Sequence, residues 1–131
     1  MFDASTPPRP ASVVVLTTLG SEDDAVAFVR ALLERRLVAC GTVLPAARSL
    51  YRWEGKLADE REAVVLLKTT PARLAALEHA FGELHPYAVP ELLALPVAAG
   101  LARYVSWLAA EVDALPERAD AEVARRDDGG A

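Results

Sequence analysis

Apolar and polar positions along the chain change their spacing several times, and each change marks an element. Ser12 to Thr18 holds Val13-Val14-Val15-Leu16, a β-branched run closed by Gly20, and predicts a buried strand. From Ser21 the spacing becomes helical. Ala25, Phe28, Val29, Leu32 and Leu33 follow i, i+3, i+4, i+7 and i+8, with Ser21 as N-cap and Asp24 three residues on, and this helix ends near Arg36. Val38 to Leu44 is extended again; Pro45 interrupts it and Leu50 to Glu54 resumes it, so a bent or bulged strand is expected. Glu54-Gly55 supplies the positive φ of a tight hairpin turn, and the return strand reaches Lys68. Thr70-Pro71 reads as an N-cap followed by proline at the first helical position. Leu74, Leu77, Phe81 and Leu84 then mark the apolar face of a second helix, which stops before Pro86. Pro90 and Pro96 bracket a short last strand over Leu92 to Leu95. Leu101, Tyr104, Val105, Leu108 and Val112 lie on one face of a third helix that begins after Gly100.

This order predicts an α+β fold, a ferredoxin-like βαββαβ sandwich with an antiparallel sheet and an added C-terminal helix. Right-handed crossovers place both main helices on one face of the sheet. A one-sided antiparallel sheet alternates apolar and polar residues, yet Val13 to Leu16, Ala63 to Leu67 and Leu92 to Leu95 are apolar at every position. A second cover is therefore expected, and the third helix is too short to supply all of it. Association of subunits through sheet faces or edges follows. Tyr51 and Trp53, beside the hairpin tip, point the same way, because a monomer would expose them.

Composition narrows the classes of function. The 131 residues suit one domain, given the usual range of roughly 100 to 200 residues. We divide them into a disordered N-terminal tail (1–11, with Pro7, Pro8 and Pro10), a domain (12–112) and a flexible, charged C-terminal tail (113–131). With 53% apolar and 25% charged residues, a real core is available. A net charge of -5 opposes a nucleic acid partner, whose phosphates need a basic patch. Cys40 is the single cysteine, so no internal disulfide is expected, and the first ten residues lack the pattern of a signal peptide. Apolar stretches stay far below the roughly 20 residues that cross a bilayer. A cytoplasmic protein without a membrane partner is the expectation.

Enzyme motifs are missing: there is no Gly-x-Ser-x-Gly elbow, no phosphate-cradling glycine loop and no His-Glu-x-x-His pair, and no catalytic residue is assigned. Of the two histidines, His79 falls between the core-facing Leu77 and Phe81 and reads as a solvated surface residue. His85 ends the second helix beside Pro86, Tyr87 and Pro90, a stiff loop that holds side chains in fixed directions; it is either a site residue or a histidine bonded to helix-terminal carbonyls. Cys40, among Val38, Ala39 and Val43, is either a small buried hydrophobe or a soft-metal ligand. Lys68 closes an apolar run and Glu91 follows Pro90; each is either a solvated strand end or a site charge.

Two stretches, Leu50-Tyr51-Arg52-Trp53-Glu54-Gly55-Lys56 and His85-Pro86-Tyr87-Ala88-Val89-Pro90-Glu91, resemble the signatures of the CutA divalent-cation-tolerance family. Leu37-Val38-Ala39-Cys40, Leu67-Lys68-Thr69, Ala94-Leu95-Pro96-Val97, Tyr104 and Trp107 extend the resemblance over residues 12 to 112. It implies a ferredoxin-like cytosolic homotrimer linked to divalent-metal tolerance and able to bind copper. It also implies an architecture similar to the PII signalling proteins, whose trimers bind small molecules between subunits. Two positions depart from the family pattern: Ala88 stands where a glutamate is usual, and Gly41-Thr42 where Val-Asn is usual. The leading expectation is a non-enzymatic trimer of the metal-ion response. No cofactor is required, copper or another divalent cation is the ligand, and Cys40 and His85 are the metal candidates. The rival is a PII-like small-molecule sensor or protein scaffold. For either, we expect a cleft between subunits lined by Tyr51, Trp53, Lys68, His85, Tyr87 and Glu91, where aromatic walls and a few polar groups meet.

Overall fold

The computed structural model describes residues 11–113, so the tails fall almost wholly outside it. In chain order the elements are β1 (Val13–Leu19), α1 (Glu22–Glu34), β2 (Cys40–Trp53), β3 (Lys56–Thr69), a 3-10 turn (Pro71–Arg73), α2 (Leu74–Leu84), β4 (Leu93–Pro96) and α3 (Ala102–Asp113). The strands form one sheet in the order β2-β3-β1-β4 with every neighbouring pair antiparallel. Both helix crossovers skip one strand, which leaves β1 and β3 in the centre.

Burial alternates along the central strands even though their sequences do not. Val13, Val15, Thr17 and Leu19 of β1 are buried, as are Ala63, Val65, Leu67 and Thr69 of β3, while Val14, Leu16, Val64 and Leu66 are only partly covered. Onto the buried face pack Ala25, Phe28, Val29 and Leu32 of α1 with Leu77, Ala80 and Phe81 of α2. Both main helices therefore share one face, as the crossover rule requires. Full burial of one such aliphatic or aromatic side chain contributes about 1.5–3 kcal/mol.

Local chemistry explains most element ends. The Ser21 hydroxyl accepts the Asp24 N–H at 3.1 Å and caps α1. At its other end Arg36 adopts φ 57°, and the bonds Leu37 N–H to Leu32 O and Arg36 N–H to Leu33 O close a Schellman turn without glycine. Arg36 can hold that conformation because its guanidinium binds Glu111 of α3 at 2.7 Å. The expected interruption of β2 is a bulge between Leu44 and Ala47, with Ala46 at φ 58°. The hairpin turns through Glu54 (φ 50°) and Gly55 (φ 77°), the two positive values of a type I′ turn. Gly41 is a matter of space: a Cβ there would lie 2.6 Å from Val29 Cγ1, so β2 passes close beneath α1.

Four expectations need correction. Thr70 has the extended backbone of an N-cap, but its hydroxyl caps nothing; the chain enters a 3-10 turn closed by Arg73 N–H to Thr70 O, and the α-helix starts only at Leu74. In α3 the buried face is Val105, Leu108 and Val112, whereas Leu101 precedes the helix and is 74% exposed, and Tyr104 is 40% exposed. Leu33 of α1 is also exposed, one position beyond the covered stripe. The last strand begins at Leu93 and includes Pro96, tolerated because β4 is an edge.

Candidate functional site

Register in the sheet shows which side chains stand together on the face away from α1 and α2. Directly opposed residues of antiparallel strands point to the same face. Cys40, Lys68, Val14 and Leu95 form one row; Thr42, Leu66, Leu16 and Leu93 the next; Leu44, Val64 and Thr18 a third. Leu44, Leu93 and Leu95 are each about half exposed. This face is apolar in its middle and carries polar groups at its two ends.

At one end, Cys40, Lys68 and Tyr104 meet. The Cys40 thiol is 3.9 Å from the Tyr104 hydroxyl, and Lys68 Nζ is 5.7 Å from the centroid of the Tyr104 ring. Lys68 is held above its ordinary pKa, chiefly by hydrogen bonding to Tyr104 against the opposing effect of burial, so it is a firm cation. Arg36 and Arg73 secure α3 over this end, the latter by Nε donating to the Val112 carbonyl at 2.7 Å.

The opposite end, beside the hairpin, opens into a groove of about 490 Å³ lined by Gly20, Tyr51, Trp53, Glu60, Arg61, Glu62, Tyr87, Ala88 and Val89. The Tyr87 hydroxyl donates to Glu62 Oε2 at 2.7 Å, and Glu62 is buried. Burial first, then Glu62, raises the Tyr87 pKa well above the usual phenol range, so the ring keeps its proton.

His85 lies beneath this groove rather than in it. It is 7% exposed, its ring packs against Phe28, Phe81 and Tyr87, and both nitrogens are engaged. Nδ1 accepts the Tyr87 N–H at 3.1 Å; Nε2 lies 2.9 Å from the Thr18 carbonyl and 3.2 Å from the Thr17 hydroxyl. These contacts require the neutral tautomer with the proton on Nε2, and burial lowers the pKa in keeping with it. His85 thus orients the loop that carries Tyr87. His79 is on the surface, 3.6 Å from Glu83, as the sequence suggested.

Of the expected cleft, the structure brings together Tyr51, Trp53 and Tyr87, with His85 behind them. Lys68 stands at the far end of the open face, and Glu91 is exposed and does not line the groove. Cys40 and His85 are on opposite faces of the sheet, so they cannot share a metal ion within one chain. Among the described residues, no three of His, Cys, Asp and Glu gather into a metal-holding group. Sequence reasoning missed Glu60 and Glu62. Their alternation along β3, level with Ser49 and Ala47 of β2 and on the side of Tyr51, was the available signal.

The fold and this face define a small α+β protein with a four-stranded antiparallel sheet, helices on one side and an apolar surface on the other. The family model described as CutA1 divalent ion tolerance protein matches residues 13–111. A divalent-cation tolerance protein CutA of Escherichia coli is 47% identical over 102 residues, covering 78% of this chain and 91% of that protein. The one from Thermus thermophilus is 43% identical over 95 residues, covering 72% and 92%. The solved structure of CutA from Synechococcus elongatus superposes with a TM-score of 0.76 at 35% identity, covering 83% of this chain and 96% of that one. The chain belongs to the CutA divalent-cation-tolerance family. That family is named for tolerance of divalent ions, not for a reaction. No helix among the described residues is long and apolar enough to cross a membrane. A relative from Archaeoglobus fulgidus is described as a periplasmic divalent cation tolerance protein.

Proposed function

We propose that this chain works as a non-enzymatic homotrimer in the response to divalent metal ions, built from ferredoxin-like subunits in the cytoplasm, with no nucleic acid or membrane partner. The observation that carries the assembly is the open sheet face, where Leu44, Leu93 and Leu95 stand about half exposed in adjoining rows. Membership of the CutA family supports the metal role.

Copper or another divalent cation is received at Cys40, whose thiol is half-buried at the Tyr104 end of that face. With His85 engaged elsewhere, further donors come from a neighbouring subunit or from solvent, and no resident cofactor is needed. Equilibrium dialysis of the full chain against Cu(I) tests this. We expect up to one ion retained per chain and retention lost in Cys40→Ser; retention equal in the two proteins contradicts the assignment.

The groove by the hairpin favours a second reading, a PII-like sensor that binds a small molecule near the subunit boundary. Aromatic walls beside a few polar groups are the usual make-up of such a site.

A further inference from the structure

The hairpin groove has a chemistry that metal tolerance leaves unused. Its volume, about 490 Å³, is in the range of small-molecule sites. Three aromatic side chains, Tyr51, Trp53 and Tyr87, form its walls.

Acidic groups dominate the polar lining. Glu62 is only 7% exposed, and a carboxylate so far from water needs partners to replace its lost hydration. Its Oε2 has the Tyr87 hydroxyl at 2.7 Å; among the described residues no hydrogen bond reaches Oε1. Among the described residues Glu62 makes no ion pair. Glu60 lies two residues earlier on the same side of β3. Arg61 also borders the groove, but strand alternation sets it with Arg48 and Asp59, where it lines a separate depression. Of these groups, Glu62 alone hydrogen-bonds the Tyr87 hydroxyl, while Tyr51 and Glu60 line the same groove.

We infer that this groove binds a small organic cation, an amine or quaternary ammonium compound, with its charge facing Glu62 and Glu60 and its alkyl groups against Tyr51, Trp53 and Tyr87. An aromatic face attracts a positive charge through its quadrupole, and a neighbouring carboxylate adds to the field. A hydrated metal ion gains little from ring faces, and a phosphate-bearing ligand would meet two carboxylates. The inference rests on the small-molecule reading of the groove and names its ligand class.

Calorimetric titration of the full chain with choline, with its uncharged isostere 3,3-dimethylbutan-1-ol and with ADP tests it. Choline is expected to bind at least tenfold more tightly than the isostere. Glu62→Gln and Trp53→Leu should each weaken choline at least tenfold; Trp53 is exposed enough for its variant to fold even if the buried Glu62 variant does not. Equal affinity for choline and the isostere, or choline binding unchanged in Trp53→Leu, overturns the inference. Binding of ADP without choline overturns it too, but leaves the small-molecule reading standing. Binding of none of the three removes both.

Discussion

His85 illustrates how a residue can be necessary to a site without entering it. Its ring is closed in by Phe28, Phe81 and Tyr87, and its Nδ1 faces the N–H of Tyr87, so a second ring proton would set two donors against each other. Burial holds the folded-state pKa below the ordinary value of 6.5, against the hydrogen bond to the Thr18 carbonyl and the charge of Glu62, which act in the opposite sense. A histidine whose pKa is depressed on folding contributes stability that is present above its unfolded pKa and is lost as pH falls toward the folded one. Urea denaturation should therefore show stability declining from pH 7.5 to pH 5, with a smaller decline in His85→Gln. Parallel pH profiles for the two proteins would show that His85 is not the group responsible.

In the β2–β3 hairpin the sequence fits the backbone poorly at its turn. Glu54 occupies the first residue of a type I′ turn at φ 50°, where asparagine, aspartate or glycine is favoured. The left-handed conformation costs an ordinary L-residue roughly 1–2 kcal/mol, much of which asparagine avoids. Glu54→Asn should raise stability by about 0.5–1 kcal/mol, read as a higher denaturation midpoint with an unchanged slope. A lower midpoint would mean that the Glu54 side chain makes a contact worth more than the strain.

The same element scale shows what the sequence makes legible. Helix α1 could be read closely because cap, period and burial agree. The end of that helix could not, since Arg36 turns the chain left-handed where glycine would have announced it, and its partner Glu111 is 75 residues away. Thr70-Pro71 carries the chemistry of a cap, yet the turn that forms is 3-10 and its hydroxyl faces inward. The site was half legible for a related reason. Tyr51, Trp53 and Tyr87 stood out by type and by resemblance, but the pairing of Tyr87 with Glu62 depends on a loop wrapping past Gly20, and the separation of Lys68 from them depends on strand length and register.

For the whole molecule, the sheet has one face sealed by two helices and one that α3 covers only at the Lys68 end. Apolar sequence at every position of the central strands anticipates that second face, and in the folded chain it remains partly open along Val14, Leu16, Val64 and Leu66 and more so at Leu44, Leu93 and Leu95. An open face of this kind in an isolated chain invites association. The proposed copper site at Cys40 and the proposed cation site in the hairpin groove both border that face. Sedimentation equilibrium at micromolar concentration is the most direct measurement of the central proposal. We expect the mass of three chains of 14.0 kDa each, falling in Leu93→Lys/Leu95→Lys; a folded monomer of the unaltered chain would contradict it.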